Sequence, residues 1–123
     1  MNNIHVKYNL SFVNKVIDRR IYKTCDLTRN PANLIYVGLS TYLIYVQTAD
    51  DILESVLPNV EGALNGEADI DVSCETVDVT VEQINTIIEW NGKTETLPTV
   101  DFKSILEEYA EFLQTLPLHG SGV

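Results

Sequence analysis

Ile4, Val6, Tyr8, Leu10 and Phe12 alternate with polar residues, the two-residue period of a half-buried strand. The alternation breaks over 13–20, and Ile21 to Leu27 supplies a second strand that pairs back as a hairpin. A turn cluster follows at Arg29-Asn30-Pro31-Ala32-Asn33. Leu34 to Val37 and Tyr42 to Val46 are β-branched and aromatic on both faces, with Gly38-Leu39-Ser40-Thr41 between them. That pattern predicts two strands, or one long strand, at the centre of a sheet.

Thr48 then stands where a helix cap belongs, with Asp51 as the acidic half of a capping box. Ile52, Leu53, Val56, Leu57, Val60 and Leu64 recur at helical spacing, and Pro58 predicts a break or kink near Leu57. Asn65-Gly66 ends the segment. Ala68, Ile70, Val72 and Cys74 alternate with Glu67, Asp69, Asp71 and Ser73, but Val77, Val79 and Val81 have the opposite parity. A turn or bulge is therefore expected at Glu75-Thr76, because a one-residue slip inverts every side chain. Ile84 to Trp90 and Lys93 to Leu97 flank Asn91-Gly92, a strong two-residue hairpin signal. Thr99 is expected to cap a last helix with Phe102, Ile105, Leu106, Tyr109, Phe112, Leu113 and Leu116 on its apolar stripe, stopped by Pro117.

These elements predict an α+β fold: one antiparallel twisted sheet of five to seven strands, with two main helices packed on one face. The chain reads as a single domain over 1–117 and a flexible tail over 118–123. No apolar run reaches the roughly 18 residues of a membrane span, and Met1-Asn2-Asn3 opens straight into the first pattern without a signal-peptide layout. A cytoplasmic location is the expectation.

Charge changes this picture most. The 123 residues hold eight Lys and Arg against 18 Asp and Glu, a formal net charge of −10. Six of the basic residues (Lys7, Lys15, Arg19, Arg20, Lys23 and Arg29) precede Asn30, and none lies between Arg29 and Lys93. Such a chain repels nucleic acid and anionic membrane and attracts basic partners. Lys15, Arg19, Arg20, Lys23 and Arg29, with Tyr22, form a local basic stretch whose plainer role is to solvate a hairpin or neutralise neighbouring acids.

Catalytic and metal chemistry find little support. Glu67, Asp69, Asp71 and Glu75 have carboxylates for calcium, but Ala68, Ile70 and Val72 between them spell a strand instead of a sharply turning loop. There is no glycine-rich phosphate loop and no serine in a nucleophile elbow. Paired carboxylates suited to glycoside hydrolysis are inevitable among so many acids. Cys25 and Cys74 have no metal spacing and read as reduced thiols, and His5 and His119 lack neighbouring ligand types. The chain is thus expected to be non-catalytic, without cofactor or metal. Tyr36, Tyr42, Tyr45 and Trp90 are candidate interface anchors, their alternative being to fill the core.

The segment Leu97-Pro-Thr-Val-Asp-Phe-Lys-Ser-Ile-Leu-Glu-Glu-Tyr-Ala-Glu-Phe-Leu113 follows a charged hairpin with a proline-threonine cap and an acidic helix of aromatic spacing. In this it resembles the small acidic immunity proteins of bacterial polymorphic and contact-dependent growth-inhibition toxin systems. The resemblance implies a cognate protein toxin with a basic surface as partner, held by protein–protein contact and blocked by charge complementarity. The surface it implies is Glu67, Asp69, Asp71 and Glu75 with Asp78 and Glu82, then Asp50, Asp51 and Glu54 at the helix start, with Trp90 as an anchor. Two other classes fit the same chain: an acidic nucleic-acid mimic or adaptor of another system, and a small ligand-binding domain.

Overall fold

The computed structural model describes residues 3–27, 36–46 and 48–122. Ile4–Lys7 forms a one-turn helix, α1, where the alternation predicts a strand. The reason is tertiary: the Glu108 carboxylate accepts the N–H groups of Ile4 and His5, each at 3.0 Å. A charged acceptor at a helix amino end satisfies donors that have no partner inside the helix. Beyond a positive-φ Asn9, β1 (Leu10–Ile17) pairs antiparallel with β2 (Arg20–Leu27) from Leu10 opposite Leu27 to Ile17 opposite Arg20. The strand thus continues through 13–17, where a break is expected. Asp18 and Arg19 make the turn with φ of 51° and 64°, the signs that a type I′ turn requires.

The central apolar run is helical. Val37–Tyr45 forms α2, so the strand reading of Tyr42 to Val46 is corrected; Leu34, Ile35 and the Arg29–Asn33 turn cluster lie outside the described residues. Leu39, Tyr42, Leu43 and Val46 are buried at helical spacing. A helix apolar nearly all round is one packed on several sides. Ser40 Oγ donates to the Cys25 carbonyl of β2 at 2.8 Å, and Tyr42 Oη donates to the Val72 carbonyl at 2.8 Å.

The second sheet is four-stranded, in the order β3 (Ile70–Asp71), β4 (Asp78–Val81), β5 (Asn85–Trp90), β6 (Lys93–Pro98). The fold is α+β as expected, but its strands divide into sheets of two and four instead of one sheet of five to seven. The parity change falls at the expected place: Cys74 bridges Val77 around Glu75, whose φ is 54°. Asn91 and Gly92, both with positive φ, turn β5 into β6. Val79, Val81, Ile88 and Leu97 point into the core, while Asp78, Thr80, Glu89, Thr94 and Thr96 are exposed.

Thr48 caps α3 (Ala49–Asp51), its Oγ1 accepting the Asp51 N–H at 3.0 Å. A π-helical segment, Ile52–Val56, leads into α4 (Leu57–Leu64). Pro58 sits at the start of α4, so the widened turn before it absorbs the missing donor where a break is predicted. The last helix, α5 (Thr99–Leu113), begins at Pro98, and Thr99 is buried instead of capping: its Oγ1 donates to the Glu82 carbonyl at 2.7 Å and lies 3.0 Å from Thr86 Oγ1. Phe102, Ile105, Leu106, Tyr109 and Leu113 are buried, and Phe112 is half-buried. Residues 119–122, part of the segment 118–123 expected as a tail, lie along β2. Ile21 N–H donates to the Ser121 carbonyl at 2.9 Å, Gly120 N–H to the Ile21 carbonyl at 2.7 Å, and Lys23 N–H to His119 Nδ1 at 3.0 Å. Among the described residues no helix is long and apolar enough to cross a membrane.

Candidate functional site

A groove of about 300 Å³ runs between the end of α2, the start of the α3–π–α4 run and the segment after β3. Asp51 and Asp71 both line it, together with Tyr42, Tyr45, Ser55, Asn59, Ser73 and Cys74, and among the described residues no basic side chain does. One residue from each of two acidic clusters that are separate in the sequence, Asp51 of the helix start and Asp71 of the acidic segment, therefore lines the same concavity. The Thr48 cap fixes Asp51 in the first helical turn. Asp71 is fixed by Ser73, whose N–H donates to Asp71 Oδ1 at 2.8 Å. Hydrogen bonds from Ser73, first through its side chain and then its backbone, hold the Asp71 carboxyl below its ordinary range. Ser73 Oγ accepts the Val79 N–H at 2.9 Å, which ties this loop to β4. Tyr45 lies at the groove with its ring partly exposed, and Tyr42 stays buried beneath.

The other expected surface residues are dispersed. Asp50, Glu54 and Asp69 are exposed outside the groove lining. Glu75 is exposed at the turn; burial first, then the Glu75 and Asp51 carboxylates, push the neighbouring Cys74 thiol up. Glu67 folds back over Gly62, where an added Cβ would collide with its carboxylate. Asp78 lies on the outer sheet face directly opposite Glu89, a like-charge pair that costs stability unless a cation intervenes. Glu82 is half-buried, its main chain engaged by Asn85 and Thr99. Trp90 is half-buried against Gly38.

Of the basic stretch, Lys15, Arg20 and Lys23 are engaged within the molecule, and Arg29 lies outside the described residues. Lys15 pairs with Asp26 at 3.1 Å, and the Arg20 guanidinium donates to the Gly120 carbonyl at 3.3 Å. Lys23 is 4% exposed, donates to Asn14 Oδ1 and Thr115 Oγ1, and sits 4.1 Å from the Phe112 ring centroid. Loss of solvent lowers its pKa.

Cys25 and His5 are engaged within the fold. Cys25 is buried and its pKa is pushed up to about 12, chiefly by desolvation, which leaves the inert thiol form. His5 Nδ1 lies 2.6 Å from Glu108 Oε1, and its ring stacks on Phe12 at 4.0 Å. Among the described residues no group of three or more His, Cys, Asp or Glu is disposed to hold a metal ion.

Sequence reasoning selected Asp51 and Asp71 but missed Ser55, Asn59 and Ser73, which join them at the groove. Ser73 alone had a local signal, an aspartate two residues before it, the spacing of an Asx turn. No family model, no curated protein and no solved structure matches this chain.

Proposed function

We propose that this chain is an immunity-type inhibitor that binds a cognate protein toxin through an acidic surface and blocks it. The observation that carries this reading is that Asp51 and Asp71 line one groove with no basic side chain among the described residues that line it. A lysine or arginine of the partner enters there, with its aliphatic stem along Tyr45. The net charge of −10 speeds encounter with a basic toxin, such as a nuclease with a cationic substrate cleft. The groove supplies the specificity that charge alone lacks, because its shape admits some partners and excludes others. The protein acts in the cytoplasm of the producing cell, where the toxin would otherwise act.

The test is protection. Expressed in bacteria with the toxin domain encoded beside its gene, the chain should restore growth and co-purify with that domain. It should leave unrelated toxins active. Killing by every such neighbouring toxin in its presence would reject the reading.

A further inference from the structure

A second groove, about 440 Å³ in volume, lies on another part of the molecule, between the π–α4 run and α5. On one side stand Leu53, Leu57, Pro58 and Glu61; on the other stand Glu107, Ala110, Glu111 and Gln114. Each side is one helical stripe, and the α5 residues are spaced three and four apart. Ala110 and Leu57 are buried at its base. Leu53 is 46% exposed, although it belongs to the apolar series of its helix. Lys103 Nζ is 3.9 Å from Glu61 at one end, while Glu107 and Glu111 have no ion pair among the described residues.

We infer that this groove seats a basic amphipathic helix of a partner protein. An apolar anchor of that helix enters over Leu53, Leu57 and Pro58, and its lysines or arginines meet Glu61, Glu107 and Glu111. Two helical ridges with apolar residues between charged ones are a form that receives a helix. The acidic rims require the opposite sign on the occupant. The inference goes beyond the toxin reading, since it concerns a different face and depends only on the occupant's chemistry.

The probe is a fluorescent synthetic peptide with leucines on one helical face and lysines on the other, titrated with the full chain by anisotropy. A scrambled peptide of the same composition should bind at least about ten-fold more weakly. The pair Glu107→Lys with Glu111→Lys should weaken the amphipathic peptide by about ten-fold or more. The pair Asp78→Lys with Glu89→Lys makes the same charge change on the outer sheet face and should cost no more than about two-fold. Leu53→Ser, at a half-exposed side chain, should weaken binding by more than its small loss of stability accounts for, with the chain still unfolding cooperatively. Equal weakening by both charge pairs, equal binding of the scrambled peptide, or no binding of either peptide would overturn the inference. Growth rescue by a chain that ignores the peptide rejects this groove alone; peptide binding by a chain that fails to rescue rejects the toxin reading alone.

Discussion

Glu95 accepts the backbone N–H of Gly38 at 2.7 Å, so a strand residue closes the amino end of a helix distant in the sequence. Its other oxygen accepts the Leu39 N–H at 3.0 Å. The side chain comes from the inner face of β6 and is 7% exposed. Burial raises its carboxyl above the ordinary range, against the pull of the two amides.

Stability should therefore depend on pH through Glu95. The folded state holds this proton more tightly than the unfolded chain does. The resulting stabilisation is complete below the ordinary glutamate pKa of about 4.3 and is lost as pH rises through the raised folded value. Glu95→Gln removes the titration. As pH rises from about 4, the melting temperature of the parent should fall relative to that of the variant. Parallel curves, or a parent that gains on the variant, would contradict the assignment.

Gly38→Ala should destabilise the domain by about 1–3 kcal/mol, the usual cost of overpacking. Its Cβ would lie 2.9 Å from Glu95 Oε2, 3.1 Å from Trp90 Cβ and 3.2 Å from Ile88 Cγ2. Urea unfolding measures this; a change within error would show that the helix end shifts freely on the sheet.

The same contact explains what the sequence concealed. Val37 to Val46 is apolar on both faces, and that property correctly marks a buried element. It cannot separate a central strand from a helix packed on several sides. The decision is tertiary: Glu95 closes the helix start, Ser40 reaches β2, and Tyr42 reaches the segment after β3. Likewise the four residues of α1 alternate as a strand would, and Glu108 selects the helix. Locally determined features were legible: the Asn91-Gly92 hairpin, the Thr48 cap, the slip at Glu75 and the stripe of α5 as far as Leu113, although the expected stripe ran on to Leu116, which lies exposed beyond the helix end. The acidic residues were legible as a set, but which of them converge was not. Asp51 and Asp71 meet only because the α3–π–α4 run and the segment after β3 pack beside α2.

The aromatic residues of α5 should differ in weight. Phe102 is fully buried, whereas Phe112 is half-buried, stacked on Phe12 at 5.6 Å and covered by the Lys23 ammonium. Phe102→Ala should cost ~3–5 kcal/mol, and Phe112→Ala less. Equal losses in denaturant unfolding would show that Lys23 depends on the Phe112 ring as strongly as the core depends on Phe102.

On the function proposed above, a basic group of the protein partner enters the Asp51–Asp71 groove. The most direct measurement is the association rate and affinity for the neighbouring toxin domain at low and high salt, for the parent, for Asp51→Lys with Asp71→Lys, and for Asp78→Lys with Glu89→Lys. Both pairs change net charge equally, and all four side chains are exposed. The groove pair should weaken binding by about ten-fold or more at either salt, mostly through faster dissociation, while the sheet-face pair should slow association modestly and only at low salt. Equal effects of the two pairs, or a folded groove variant that binds like the parent, would contradict the claim.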